Sequence, residues 1–163
     1  MEFDLKANKL IEEIVSVIRS NLDKDKLLEK LDDYHANDIA QSLEYLTKEE
    51  RLSLYDILGD EWVSEILSYV EEPQQYINEL GVEKLADIIN EMDSDDAADL
   101  LEKVDDSVKE KLRASLDDDV KADIQLINSY DEDEVGSLIT TNYICISKTL
   151  DIRGAMHELI RQA

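Results

Sequence analysis

The sequence holds one cysteine, Cys145, one proline, Pro73, and four glycines in 163 residues. A single thiol can form neither an internal disulfide framework nor a thiolate zinc site, which suits a cytosolic setting. So little glycine and proline leaves few natural breaks, and predicts a mostly helical chain with tight connections. Basic residues are also scarce: 17 Lys and Arg stand against 41 Asp and Glu, a net charge of −24. That balance excludes nucleic acid as a partner, because phosphate binding draws its affinity from Lys and Arg. It equally excludes adsorption to an anionic membrane surface. No stretch approaches the roughly 18 apolar residues needed to span a bilayer. The start, "MEFDLKANKLIEEIV", lacks the basic n-region and apolar run of a signal peptide.

Catalytic signatures are missing too. No glycine-rich phosphate loop and no nucleophile elbow occurs. His35 and His157 are far apart in sequence, without cysteine partners, so a zinc site is not expected. Ser137 and Thr140 have no histidine base nearby in sequence. The expectation is a soluble binding module and not an enzyme.

What is present is apolar periodicity. Leu10, Ile11, Ile14, Ile18 and Leu22 mark one helix face, and Leu27, Leu28 and Leu31 continue in a second short helix. A longer period of 23 residues then relates Ile39, Trp62, Leu85 and Val108, and likewise Leu43, Ile66, Ile89 and Leu112. A third series, Leu54, Ile77 and Leu100, fails at Asp123, beside Ile124. The first two series define one helix and the third falls on the next. Start signals lie between them: "TKEE" at Thr47, "EEPQQ" before Tyr76, "DSDD" at Asp93 and "DDDV" at Asp117. Gly59 and Gly81 fall near unit boundaries, where a helix can end in a left-handed residue. Each unit is a pair of helices too short to be stable alone. Stacked units bury a continuous strip, as in an α-solenoid, with Trp62 in the core.

After Tyr130 the texture changes. "NYICIS" reads as a strand and "DIRGAMHELIRQA" as a helix. A lone strand cannot satisfy its own ladder, so either more chain or another molecule is expected to pair with it, and we read the sequence as a piece of a longer protein.

The stretch "EMDSDDAADLLEKV" places Asp93, Asp95, Asp96 and Asp99 within one short window. Asp93 reads as an N-cap, and Asp95 and Asp96 sit well against the positive end of a helix dipole. Asp99 lies beyond the first turn, and capping does not require it. Asp95 and Asp99, four apart, share a helix face and form either a solvated surface or a carboxylate pair for a hard cation such as Mg²⁺. "LDDDV", from Leu116 to Val120, is a further acidic candidate.

Three segments, "YHANDIAQSLEYLTKEERLSLYDIL", "EMDSDDAADLLEKV" and "YDEDEVGSLITTNYICI", resemble the cytosolic part of the MgtE-type magnesium transporters and channels. The resemblance runs from Leu27 to Ala163. It implies an all-α, right-handed superhelical Mg²⁺-sensing domain over residues 1–129. Over 130–163 it implies a linker and the incomplete, strand–helix start of a first α/β cystathionine-β-synthase (CBS) domain. In that family Mg²⁺ ions bind between the helical domain and the CBS pair, screening two acidic surfaces so that they close and hold the pore shut. By this resemblance Asp95, Asp99 and Glu65 are metal ligands, with a backbone carbonyl from Gly136 or Ser137. Serine stands where the family often has a second glycine. The remaining acidic ligands lie beyond residue 163, and no nucleotide site is carried over. The implied partners are Mg²⁺, the CBS domains and the membrane pore of the same full-length chain, a homodimer at the cell membrane with this portion in the cytoplasm. The alternative is a metal-indifferent solenoid, similar in repeat style to helical flagellar rotor proteins, whose acidic face docks a basic partner.

Overall fold

The computed structural model describes residues 2–20, 22–130, 134, 141 and 143–162. Eleven α-helices and one 3₁₀ turn lie among them. The first five helices are α1 (Glu2–Ile18), α2 (Lys24–Leu31), α3 (Ala36–Ser42), α4 (Lys48–Leu58) and α5 (Asp60–Ser68), with the 3₁₀ turn at Leu43–Tyr45. They are followed by α6 (Gln74–Ile77), α7 (Val82–Asn90), α8 (Ser94–Glu102), α9 (Asp106–Ser115), α10 (Asp118–Ile127) and α11 (Ile152–Gln162).

The 23-residue period is the stacking period. Odd-numbered helices pack in a row, α1 on α3, α3 on α5, α5 on α7 and α7 on α9. In the second row α2 meets α4 and α8 meets α10, while α4 meets α5 across the rows. Leu43, Ile66, Ile89 and Leu112 are fully buried along the odd row, and Leu54, Ile77 and Leu100 are buried along the even one. Trp62 and Val108 are only partly buried, packed at the margin of that core. Truncating a fully buried member such as Ile88 to alanine is worth about 2–5 kcal/mol.

Helix ends follow local chemistry where the sequence offers it. Thr47 and Glu50 form a reciprocal capping box: the Glu50 amide donates to Thr47 Oγ1 at 3.3 Å and the Thr47 amide to Glu50 Oε2 at 2.8 Å. Gly59 joins α4 to α5 with φ +85° and ψ 170°, a conformation that is essentially glycine-only. Gly81 departs from the expected left-handed end. Its φ is −76°, and it is an extended lead-in to α7.

The strand expected at "NYICIS" does not form. Residues 143–147 have no ladder partner, and no strand occurs among the described residues. Propensity alone cannot hold a strand whose amides and carbonyls find no neighbour. Of the strand and helix expected after Tyr130, only the helix is present among the described residues. That helix, α11, begins where expected, with the Gly154 amide donating to Asp151 Oδ1 at 2.8 Å.

One buried ion pair ties successive units together. Arg51, on α4, is almost fully buried and pairs with Glu79, just past α6, with Nε 2.9 Å from Oε2. Its other nitrogens donate to Glu79 Oε1 and to the carbonyls of Leu43 and Leu46, and the guanidinium lies 5.3 Å from the centroid of the Tyr76 ring. Every charge here is answered by a partner. Among the described residues no helix is long and apolar enough to cross a membrane.

Candidate functional site: an acidic cleft between the α5 and α8 faces

Helix α8 starts at Ser94, with Asp93 at the capping position, but the Asp93 side chain makes no cap hydrogen bond. This corrects the expectation that it accepts from the first turn. Asp93 instead lines a cleft of about 330 Å³ together with Glu61, Ser64, Glu65, Ser68, Tyr69, Glu91, Met92 and Asp96. Five of those side chains are carboxylates, and none is basic.

Each wall has a reason to face the cleft. On α5 the core side is taken by Val63, Ile66 and Leu67, which turns Glu61 and Glu65 outward. On α8 the core side is taken by Ala97, Ala98, Leu100 and Leu101, leaving the aspartates on the other face. Ser64 packs the seam, donating to the Glu61 carbonyl at 2.7 Å and lying 3.3 Å from the Glu91 carbonyl. Ser68 donates to the carbonyl of Glu65 at 2.9 Å.

Asp96 shows the electrostatic consequence. Burial, and then repulsion from Asp95, Asp93 and Asp99, push its carboxyl above the ordinary value of 3.8, while a hydrogen bond from Ser68 pulls the other way. Asp95 is half-buried, and its Oδ1 is closed off from solvent with no hydrogen-bond partner. Asp99 is exposed one turn further along α8.

The sequence-predicted ligands are thus divided. Asp95 and Asp99 share α8 as expected, but the cleft brings Glu65 to Asp93 and Asp96. Asp96 was legible only as a dipole partner, and Glu61 and Glu91 carried no signal of their own. The one available cue was the polar spacing of Glu61, Ser64, Glu65 and Ser68 on a single helix. Gly136 and Ser137 lie outside the described residues. Among the described residues no group of three or more His, Cys, Asp or Glu side chains is arranged to hold a metal ion. "LDDDV" is a solvated helix start: Asp118 pairs with Lys121 at 3.3 Å, and the Asp117 amide bonds Asn90 Oδ1 at 3.1 Å.

Oxygen-only chemistry with unneutralised negative charge fits a hard divalent cation and offers nothing to a soft metal. The buried, unpartnered Asp95 Oδ1 is an acceptor whose lone pairs have no protein donor.

Residues 34–133 match the family described as the MgtE intracellular N domain. The soluble part of a magnesium transporter, a crystal structure, is 24% identical with a TM-score of 0.80, covering 96% of this chain and 62% of that one. At that identity the likeness speaks for the fold. The crystal structure of the cytosolic domain of the Mg²⁺ channel MgtE in complex with ATP is 28% identical with a TM-score of 0.71, covering 86% of this chain and 58% of that one. The chain therefore spans less than two thirds of the length of either solved structure. None of the curated proteins matches it.

Proposed function

The chain belongs to the MgtE intracellular N-domain family, and from that premise we propose that it is a cytosolic Mg²⁺-sensing regulatory module of a membrane magnesium transporter. The observation that carries the reading is the carboxylate-lined cleft between α5 and α8, where no basic residue balances the charge. In this reading the rows wind as a right-handed superhelix. Asp95, Asp99 and Glu65, with the Gly136 carbonyl, face a second acidic module, the CBS pair of the same full-length chain. Asp93 and Asp96 join that electrostatic surface.

The physics follows from charge. Carboxylates crowded at one helix start repel one another, and a second acidic surface brought against them multiplies the cost. Mg²⁺ binds through oxygen and keeps several of its waters, so it screens both surfaces without a dedicated cage of protein ligands. High Mg²⁺ favours the closed arrangement of the two modules and a shut pore. Falling Mg²⁺ restores the repulsion, and the modules separate. The chain acts by binding and not by catalysis, within a homodimeric full-length protein at the cell membrane.

A thermal melt tests this. Mg²⁺ should raise the melting temperature more than NaCl at equal ionic strength, because general screening serves both salts alike. At ten times its dissociation constant the ion contributes about 1.4 kcal/mol. Asp95→Asn with Asp99→Asn should abolish the difference. Equal responses to both salts in the unmodified chain would sink the proposal and leave the interaction-solenoid reading.

A further inference from the structure

The residue that interrupts the repeat marks a contact that the repeat itself does not need. Position 123 continues the series of Leu54, Ile77 and Leu100, which are 1%, 4% and 4% exposed, yet it is an aspartate. The core side of α10 is filled instead by Ile124, 5% exposed, and Asp123 lies half-buried beside it, where a carboxylate is a cost unless a hydrogen-bonding partner answers it.

That partner arrives from 18 residues further along the chain. Asp123, half-buried on α10, accepts from the Thr141 hydroxyl through Oδ2 at 2.6 Å. The Thr141 amide donates to Ser94 Oγ at 2.8 Å, and the two hydroxyl oxygens lie 3.0 Å apart. Ser94 is the first residue of α8 and is 4% exposed. Because α8 and α10 pack on each other, the three residues meet where two neighbouring helices and the returning chain converge. The single hydroxyl proton of Thr141 points at a carboxylate, the stronger class of hydrogen bond.

Beyond Thr141, bonds such as Ser147 with Thr149, Gly154 to Asp151 and Arg161 with Glu158 are local. Ile152, Met156 and Ile160 of α11 are exposed. Local bonds of this kind shape the segment itself.

We propose that Ser94, Thr141 and Asp123 form a clasp that sets where the chain leaves the helical layer after α10, and ties that exit to the first turn of the acidic helix α8. The three are positioning residues, and the proposal requires no metal. Asp123, beside the buried Ile124, supplies the acceptor that the clasp needs. The same clasp makes the orientation of whatever follows residue 141 depend on the α8 start.

Amide hydrogen exchange on the whole metal-free chain tests the clasp. Thr141→Val keeps the β-branched shape and the amide but removes the hydroxyl. Exchange at the residue 141 and Tyr143 amides should rise about tenfold, the size expected when a bond to a charged acceptor is lost. Amides of α3 to α7 should stay within twofold of the parent. Thr141→Ser, which restores a hydroxyl, should return the parent rates. Asp123→Leu, which repairs the apolar series, should leave the helical layer at least as stable while releasing the same two amides. Parent-like exchange at 141 and 143 in both Thr141→Val and Asp123→Leu would overturn the clasp.

Discussion

Two places in this molecule gather charge at the boundary of the core, and they treat it in opposite ways. Around Arg51 one guanidinium meets one carboxylate, two carbonyls and the face of a tyrosine. The bond to Glu79 holds the Arg51 pKa above its ordinary value. Around Asp96 burial first, and then neighbouring carboxylates, move the pKa to disfavour the charge. The first arrangement is complete within the fold and joins successive helix pairs. The second is incomplete, a state that a folded chain keeps at a cost. Matched charge specifies structure here, whereas unmatched charge is what the proposed function draws on for a response to cations.

The largest effect should come from breaking the matched site. Arg51→Ala should destabilise the chain by about 3–5 kcal/mol, read from denaturant unfolding, because Glu79 is left buried and uncompensated. Replacing both members, Arg51→Met with Glu79→Leu, should recover most of that loss, since apolar replacement removes the desolvation cost along with the attraction. If the double variant were as unstable as the single one, the carbonyl contacts of Arg51 and not its ion pair would be the source of its stabilisation.

A smaller effect of opposite sign is expected in the cleft. Asp96→Asn should raise metal-free stability at neutral pH, by less than about 1 kcal/mol because much of the group is still wet. Its pH dependence has a definite direction. Below the ordinary value of 3.8 both folded and unfolded carboxyls are protonated and nothing is gained or lost. As pH rises through that value the unfolded chain ionises first. Stability therefore falls until the raised folded pKa is passed, and stays lowered above it. The Asp96→Asn melt should lack this step, and its Mg²⁺ response should shrink. An unchanged pH profile would mean that the repulsion is relieved by solvent alone.

The smallest effect belongs to Glu50, paired with Arg19 at 2.7 Å on the exposed surface. The Arg19 guanidinium and the Thr47 amide hold its pKa down from 4.5 to about 2. Its contribution is present above 4.5 and disappears as pH falls through about 2, opposite in sign to Asp96. Glu50→Gln should leave the neutral melting temperature nearly unchanged, because exposed pairs are screened. A change larger than that of Asp96→Asn would show that the ion pair with Arg19 is worth more than an exposed pair ordinarily is, because glutamine keeps the capping-box acceptor for the Thr47 amide.

Much of the fold was legible along the chain. The series through Leu43, Ile66, Ile89 and Leu112 is fully buried, and the Thr47 capping box forms as its residues suggest. No strand forms at 143–147 because β-branched composition reports a preference, while a strand requires a neighbour. Gly81 was misread because a glycine near a helix boundary can lead into a helix as readily as close one. In the site, Asp95 and Asp99 were legible as one face of α8, but the cleft partners of Glu65 were not.

What the sequence by itself determined is everything that depends on spacing within one segment: helix faces, the 23-residue unit, the excess of acid and the family likeness. Only the tertiary structure decided which carboxylates meet across α5 and α8, that Arg51 answers Glu79, and that Asp123 breaks the apolar series to receive Thr141. The physical reason is range. Periodicity is enforced by each helix on its own neighbours, whereas these contacts join residues about 18 to 35 positions apart, which come together only when stacked helices bury their common strip.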